Sequence, residues 1–364
     1  SAASDVYKRQ IKQLGLLEHV FPSASHSRFE HSLGVSHIAD KYVDVLLKNS
    51  CKLHYYNPDY KFCVKMAALF HDLGHGPFSH VFDNVVIQDP QNSHEIRSRR
   101  IVEYIFQEVG TKSGFNSAYI IDYIKEMIEP VSKAYSCIPF FDIVNNSKNS
   151  IDVDKFDYLQ RDPRHIGLDI KFDPARIINK SYIEDDNIVY SNSVSNNILH
   201  MFSTRYRLHK EIYNHKTVKL IELMLGDSLL EADSHFNFKE ISKGKHFEKL
   251  DDSIYPTILN SDNKDLSTSA NILKRIENRD LYKQLWMGDF EDDSHVRDFI
   301  DDNHSNVSPD NIKFIHMKYN HCNGDESPLK NVKFKASPIQ TLGGSNTVSF
   351  EEKTVLIYNI SNTT

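Results

Sequence analysis

The chain has 364 residues, 40% of them hydrophobic and 26% charged, which is typical of a globular protein with a sizeable core. Lysine and arginine total 43 against 50 aspartates and glutamates, so the net charge of −7 excludes a global positive field that would draw the protein to nucleic acid. The sequence shows neither a signal-peptide core nor about eighteen consecutive apolar residues, which predicts an intracellular protein, cytoplasmic or nuclear, with no membrane contact.

The cysteine and histidine content limits the kinds of site that the chain can form. The four cysteines lie far apart and form no CxxC pair, which argues against a disulfide framework or a zinc knuckle. The 19 histidines exceed the usual number, and they carry information only where they cluster.

The first predicted helix begins at His31, after a serine-rich loop that contains Pro22. Its apolar positions recur with helical period, and His31 shares their stripe with Val35 and Tyr42. A buried histidine on such a stripe is more often a satisfied core residue than a ligand. The presence of Arg28 one turn earlier favours a functional role for His31, because the Arg28 guanidinium can hold a phosphate oxygen bidentately.

The most informative stretch is Phe62 to Asp83, which begins as an apolar helical run and ends that run in the pair His71-Asp72. A turn rich in glycine and proline follows the pair and contains His75 and His80. An imidazole beside a carboxylate supplies ligands that suit Mn, Fe, Zn or Mg. The alternative is a helix end capped by a histidine, and the dipeptide alone does not decide between the two.

The next helix is expected to begin near Ser93, with His94 and Glu95 in its first turn. These two residues are either an ordinary surface pair or a relay able to pass a proton. Residues 116–136 are expected to form a pair of helices without evident chemistry.

A charged segment from Ser150 to His165 also has helical spacing and places Asp154, Lys155 and Tyr158 on one face. A purely solvated helix would not need a tyrosine on its charged face. Asp154 is therefore a candidate fourth metal ligand, and Lys155 a candidate contact for a substrate phosphate. Pro163 is expected to end this helix.

Residues 171–197 are predicted to contain short strands, and one long helix is predicted from His200 to Asp233. On this helix Arg205, His209 and Tyr213 recur every four residues. The stripe is either an exposed basic face or the wall of a pocket for phosphate and nucleoside, in which tyrosine stacks on the sugar or base.

Beyond Asp233 the chain becomes more polar, and loops are predicted at 261–270 and 301–311. One more helix, 270–286, is expected between them. Three short strands complete the prediction, namely 313–319, 331–335 and 354–358.

These elements predict a mainly α fold. The helical core is expected to span residues 1–290, with a short strand insertion near 171–197. Residues 291–364 are expected to form a small α+β C-terminal lobe that contributes packing or assembly.

Five segments match a known family in residue type and order, namely RFEHSLGV, HDLGHGPFSH, HE at His94, IDVDKFDY, and R-x3-H-x3-Y-x-H-K from Arg205 to Lys216. This pattern resembles the HD-domain phosphohydrolase superfamily, and more closely the deoxynucleoside triphosphate triphosphohydrolases that combine a sterile-alpha-motif domain with an HD domain. The resemblance runs from Ile11 to near the C-terminus, and no segment resembles the sterile-alpha-motif domain. It implies an HD-domain helical core.

The resemblance also implies a role for each matching position. One divalent metal, Mn, Fe, Zn or Mg, is expected at a site formed by His31, His71, Asp72 and Asp154, and an additional Mg can accompany the triphosphate. Proton transfer and contact with the α-phosphate are implied for His75, His80 and His94, with Asp83 and Glu95 as orienting carboxylates. Substrate contacts are implied for Gln13, Leu14, Arg28, Lys155, Tyr158, Asp162, Arg205, His209, Tyr213 and His215.

The implied reaction is metal-dependent hydrolysis of deoxynucleoside triphosphates (dNTPs) at the α-phosphorus, which releases the deoxynucleoside and inorganic tripolyphosphate. The implied partners are dNTPs and further copies of the chain, in a dimer or tetramer. Asn214 stands where the family has glutamine, and Ser191 and Ser193 stand where it has basic residues of an allosteric site. The N-terminal part of that site survives only as Arg9, so GTP is not expected to activate this chain in the family's usual way.

Two alternatives from other classes stay open at this point. In HD-type phosphodiesterases and alarmone hydrolases the same ligands occur, and His75 and His94 would then hold a second metal. The non-catalytic alternative is a protein that binds single-stranded nucleic acid, which the net negative charge does not favour.

Overall fold

The structure is a computed structural model that describes residues 9–50, 56–113, 117–244, 247, 250–289, 307–335 and 351–360. It confirms the predicted mainly α fold. The helices are α1 (Arg28–Asn49), α2 (Asp59–Phe70), α3 (His94–Ser113), α4 (Ala118–Ile128), α5 (Val153–Ile166), α6 (Ala175–Asn179), α7 (Ser195–Arg207), α8 (Lys216–Phe236), α9 (Phe238–Lys243), α10 (Ile254–Leu259) and α11 (Ser267–Glu277). The strands are β1 (Ser181–Glu184), β2 (Asn187–Tyr190), β3 (Lys283–Asp289), β4 (Ile312–Asn320) and β5 (Glu351–Asn359).

Helix α1 is the centre of the first hydrophobic cluster and packs on α2 and α5. Val35, Tyr42 and Leu46 are fully buried because they recur on one face of the helix. His31 lies on that same face and is also fully buried, as its place in the apolar stripe predicts. A second cluster surrounds α8 and α11 and includes residues of β4 and β5.

The turn after α2 is locked to the start of α3 through Gly74. Its backbone N–H donates to Ser98 Oγ at 2.8 Å, and that hydroxyl donates to the His71 carbonyl oxygen at 2.6 Å. A Cβ atom at Gly74 would lie 2.0 Å from the carbonyl oxygen of His94, so only glycine allows this approach. The contact brings His94 beside the turn that follows His71.

Helix α5 differs from the prediction at its C-terminus, since Pro163 lies inside the helix instead of ending it. The helix continues to Ile166 and ends at Gly167, whose φ of +78° is the left-handed conformation of a helix C-cap. The Pro163 carbonyl oxygen accepts from Leu168 N at 2.9 Å, which completes the cap.

The predicted long helix from His200 to Asp233 is wrong, because α7 and α8 are separate. A π-helical turn, Leu208–Tyr213, follows α7, and the chain then leaves helical geometry before α8. The cause is local: the backbone N–H and side-chain Nδ2 of Asn214 both donate to the His209 carbonyl oxygen, at 3.1 and 2.8 Å. This bonding competes with a continuous helix.

The C-terminal part also departs from the prediction. The helix expected over 270–286 begins at Ser267 and ends at Glu277, and Trp286 lies in strand β3. Strands β3, β5 and β4 form an antiparallel sheet in that order, so β3 joins a sheet with the C-terminal strands. The boundary at residue 290 stays a prediction.

Three smaller expectations are corrected as well. In the range 116–136, of which 117–136 are described, the structure has one α-helix, α4, followed by a short 3-10 turn. The strand expected at 331–335 is reduced to a bridge between Phe334 and Tyr190. The loop expected at 261–270 already contains the first residues of α11, and much of the loop at 301–311 lies outside the described residues. Within the described part of the chain, no helix combines the length and apolar character needed to cross a membrane.

Candidate active site

Four side chains, which come from α1, from the turn after α2 and from α5, converge near the end of α2. His31 comes from α1, His71 and Asp72 from the turn after α2, and Asp154 from α5. The Asp154 Oδ1 atom lies 3.1 Å from His31 Nε2 and 3.6 Å from His71 Nε2. The Asp72 carboxylate lies 3.4 Å from His71 Nε2 and 3.7 Å from His31 Nε2. The structure thus brings together the four residues that the sequence proposed as metal ligands.

Both imidazoles direct their Nε2 atoms toward this point. His71 Nδ1 lies 2.8 Å from the Ala68 carbonyl oxygen, which can only accept, so Nδ1 carries the proton and Nε2 points inward. His31 Nδ1 likewise donates to Asp157 Oδ2 at 2.8 Å. The two Nε2 atoms are buried, and within the described residues neither has a hydrogen-bond partner of acceptable geometry.

Asp157 is a supporting residue that the sequence did not single out. Its carboxylate accepts from Arg161 Nε at 2.7 Å and from Arg161 Nη2 at 2.8 Å, besides the bond from His31. Gly34 makes room for this pair, since a Cβ there would lie 2.0 Å from Asp157 Oδ1. The sequence feature that could have identified Asp157 is its spacing of four residues from Arg161, which places the two side chains together on one helix face.

The electrostatics of the cluster favour a positive charge at its centre. Burial opposes protonation of His31, but Asp154 and Asp157 raise its pKa to about 10. Burial likewise opposes ionisation of Asp72, yet His71 and Arg28 hold the pKa of that carboxyl well below its usual range. Two imidazole nitrogens and two ionised carboxylates fit a divalent cation of borderline or hard character, such as Mn, Fe, Zn or Mg.

Three further histidines lie beside this cluster. The rings of His75 and His94 stack with their centroids 3.8 Å apart, and the His80 ring meets His75 edge-on at 5.2 Å. His94 Nδ1 lies 2.9 Å from Asp83 Oδ2, and its Nε2 lies 3.1 Å from Glu95 Oε1. Both carboxylates proposed as orienting groups therefore face the His94 ring.

The pKa values of His75 and His80 differ from that of free histidine. Burial, with the nearby charges of Arg28 and His94, holds the pKa of His75 well below the usual value. Burial and the charges of His94 and Arg28 also lower the pKa of His80 to about 4. The residue His80 is exposed at the cavity, although surrounding protein atoms desolvate its ring there, whereas His75 is buried.

A cavity of about 510 Å³ opens above the cluster and is large enough for a nucleotide. Asp72 and Asp154 lie in its wall. The wall also contains most of the residues proposed for substrate contact or proton transfer, namely Gln13, Leu14, Arg28, His75, His80, His94, Lys155, Tyr158, Asp162, Arg205, His209 and Tyr213. Asn84, Lys219 and Glu222 line it as well, and the sequence did not identify them.

The cations of the wall are held by protein partners. Arg28 pairs with Asp72, and its Nε donates to Ser79 Oγ at 2.9 Å. Lys155 Nζ lies 2.8 Å from Asp152 Oδ2. Arg205 Nη1 donates at 3.0 Å to the Asn320 carbonyl oxygen at the end of β4, so the C-terminal sheet helps to hold a side chain of the cavity.

A second polar network lies around Asp162. Its Oδ2 accepts from the Tyr213 hydroxyl at 2.6 Å, and its Oδ1 lies 2.8 Å from His26 Nε2. Burial and the neighbouring Asp162 raise the pKa of Tyr213 well above its usual value, so its hydroxyl stays protonated and donates. The sequence had no periodic signal for His26, which lies in the loop before α1.

One proposed substrate residue lies apart from the others. The ring of His215, just before α8, meets Phe21 edge-on with a centroid distance of 5.8 Å, and His215 is not among the described residues of the cavity wall. Burial lowers the pKa of His215.

Known proteins with similar sequences match most of the chain. A family model described as the HD domain matches residues 28–162, and one described as an HD associated region matches residues 172–309. The chain is 35% identical over 368 residues to the deoxynucleoside triphosphate triphosphohydrolase SAMHD1 homolog of Dictyostelium discoideum, covering 96% of this chain and 69% of that protein. It is 38% identical over 308 residues to a putative HD domain-containing protein of Acanthamoeba polyphaga mimivirus, and covers 66% of it.

Vertebrate relatives are longer. The deoxynucleoside triphosphate triphosphohydrolase SAMHD1 of Homo sapiens is 36% identical over 314 residues, which cover 76% of this chain and 50% of the human protein. The chain therefore spans about half the length of the human relative that it matches.

Proposed function

Because the chain belongs to the HD-domain family, among the relatives of SAMHD1, we propose that it is a metal-dependent dNTP triphosphohydrolase. The observation that carries this proposal is the convergence of His31, His71, Asp72 and Asp154, of which the two carboxylates lie in the wall of a nucleotide-sized cavity. The cavity wall adds the cations that a triphosphate needs, and tyrosines on which a nucleoside can pack.

We propose that His31, His71, Asp72 and Asp154 hold one divalent metal. When bound, the metal polarises a phosphoryl oxygen and lowers the pKa of water. The donor set is compatible with Mn, Fe, Zn or Mg, and an additional Mg is proposed to accompany the triphosphate.

In the proposed reaction, the oxygen of water bonds to the α-phosphorus and the bond from phosphorus to the 5′-oxygen breaks. Lys155 and Arg205 offset the negative charge of the triphosphate. His80, with His75 and His94 behind it, is proposed to deliver a proton to the departing 5′-oxygen. The products are the deoxynucleoside and inorganic tripolyphosphate.

Sugar selection is proposed to depend on Gln13, Leu14 and Tyr213. A tight fit around the deoxyribose leaves no room for a 2′-hydroxyl. The bonds from Tyr213 and His26 to Asp162 support this proposal, because they fix the tyrosine ring at the cavity wall.

The proposal is tested by product analysis. Purified protein is incubated with Mn or Mg and each of the four dNTPs, or the matching ribonucleotides, with and without GTP. We expect deoxynucleoside and tripolyphosphate in equal amounts, with little turnover of ribonucleotides and no requirement for GTP. Pyrophosphate or a deoxynucleoside monophosphate among the products would contradict the proposed bond cleavage.

A second candidate function is an HD-type phosphodiesterase with two metals. One observation favours it: donor atoms of Asp72, His75 and His94 lie within 4.8 Å of one another, so this group could hold an ion next to the first. In that case the same product analysis yields a monophosphate, and elemental analysis gives two metals per chain.

We expect Asp157→Ala to weaken metal binding about 10- to 100-fold, because the variant frees the His31 ring and removes the carboxylate behind it. Competition against a chelator, followed by elemental analysis, measures this change. Asp280→Ala is the matched control. Asp280 also accepts from an arginine, Arg275 Nε at 2.9 Å, but this pair is not part of the cluster. Equal metal affinity in both variants would show that Asp157 does not support the site.

We also propose a homo-oligomer, a dimer or tetramer, in which an allosteric nucleotide has a smaller part than in the longer relatives. Ser191 and Ser193 support the second point, because their hydroxyls bond each other at 2.9 Å and neither brings a positive charge. Sedimentation with and without GTP tests both statements.

A further inference from the structure

Asp252 joins two stretches of chain that are far apart in sequence. It lies just before α10, within the segment that matches the HD associated region. Its Oδ2 accepts from the backbone N–H of Lys12 at 2.9 Å, and its Oδ1 accepts from the backbone N–H of Phe78 at 2.8 Å. We call these two hydrogen bonds the Asp252 bridge.

Each end of the bridge lies next to the cavity. Lys12 directly precedes Gln13 and Leu14 in the cavity wall, on the side proposed to contact the deoxyribose. Phe78 lies in the wall itself, two residues before His80. Asp252 is not among the described wall residues, so it acts on the cavity through the backbone of both stretches.

The two stretches also touch each other. Ser79 Oγ donates to the Lys12 carbonyl oxygen at 3.2 Å. A Cβ atom at Gly15 would lie 3.2 Å from the Phe78 carbonyl oxygen, closer than ordinary contact. These two stretches, which form opposite walls of the cavity, therefore lie close together. A shift of a few tenths of an ångström in either wall changes the contact between them.

The backbone of this region needs outside support. Phe78 and Ser79 have φ angles of +55° and +58°, in the left-handed region that residues other than glycine rarely adopt. Such a conformation persists where surrounding bonds hold it, and the bond from Phe78 N to Asp252 is one of them. Burial raises the pKa of Asp252 to about 6, and the two N–H donors oppose that rise.

We propose that Asp252 is a positioning residue that sets the distance between the deoxyribose side of the cavity and the His80 side. An ionised carboxylate can accept both N–H groups at once, one on each oxygen, which an amide cannot do. The inference rests on the proposed function, since it assigns to the bridge both the exclusion of the 2′-hydroxyl and the placement of His80 at the leaving oxygen.

The test uses the full chain and the variant Asp252→Asn, which keeps the shape of the side chain and loses one acceptor. Asp251→Asn is the matched control, because Asp251 Oδ1 accepts from its local neighbour Ser253 N at 2.8 Å and, among the described residues, bonds to no distant stretch. Hydrogen–deuterium exchange without nucleotide is expected to be about 10- to 100-fold faster at Lys12 or Phe78 in Asp252→Asn, and unchanged in Asp251→Asn.

Kinetics then separate positioning from general support of the fold. In Asp252→Asn the preference for dNTPs over ribonucleotides and kcat are each expected to fall about tenfold or more, with metal content unchanged. Gly15→Ala is a second variant that presses on the Phe78 carbonyl from the opposite wall and also strains the backbone at Gly15, whose φ is +53°, and it is expected to lower the same preference. It keeps the inference testable if Asp252→Asn does not fold.

Two results would overturn the inference. Unchanged exchange at both amides in Asp252→Asn means that the bridge does not hold the walls. Faster exchange with an unchanged preference for dNTPs means that the bridge is only structural. If the wild-type chain does not turn over dNTPs at all, the proposed function fails, whereas the exchange result still decides whether Asp252 holds the two stretches.

Discussion

Replacing His71 and Asp72 together by alanine is expected to lower kcat about a thousandfold or more and to leave the chain folded. The double variant removes two of the four groups that converge on one point, including a carboxylate that lies close to both imidazoles. The apolar contacts of α2 are untouched, because its buried residues precede the pair. Turnover of a dNTP, metal content and circular dichroism measure the three expectations.

The matched control is the double variant His37→Ala with Asp40→Ala. It removes the same residue types from the outer part of α1, where His37 is exposed and Asp40 pairs with surface lysines. We expect wild-type turnover and metal content in this control. Surviving turnover in the His71 and Asp72 variant would show that the reaction takes place elsewhere.

The second large effect is expected for His80→Ala, which should lower kcat about 10²- to 10⁴-fold, the range typical of a lost general acid. His80 is favoured over the other two histidines because the residue is exposed at the cavity, where a substrate can reach it. His75 is buried, and both ring nitrogens of His94 face carboxylates.

A substrate with sulfur in place of the 5′-oxygen separates proton donation from other roles. A thiolate leaves without a proton, so His80→Ala should cost less than about tenfold with this analogue. His209→Ala serves as a control in the same wall and should affect both substrates equally. An equal loss on both substrates in His80→Ala would assign His80 to phosphate binding instead.

The lowered pKa of His80 has a further measurable result. With a pKa of about 4, which burial and the charges of His94 and Arg28 produce, the ring is neutral at pH 7 in the free protein. A bound triphosphate brings negative charge and raises that pKa, so binding should take up a proton. Calorimetry of tripolyphosphate binding in two buffers of different ionisation enthalpy measures this uptake, which His80→Ala should abolish.

Much of the site was predictable because helical spacing reports which residues share a face. The stripe from His31 through Val35 to Tyr42 placed that histidine in the core, and the structure buries it fully. The four residues proposed as metal ligands also meet in space. The single helix predicted over 200–233 failed because short-range bonding at Asn214 opposes periodicity and separates α7 from α8.

Residue type and spacing along the chain were enough to predict the mainly α fold and the buried face of α1, whereas the full set of candidate ligands followed from the family resemblance. Only the packed structure decided which groups support them, such as Asp157 behind His31 and Asp252 between Lys12 and Phe78. The reason is physical: periodicity follows from the geometry of a single helix, whereas a hydrogen bond between distant segments depends on how closely their backbones approach. That approach is set by packing of the whole core and has no local signature in the sequence.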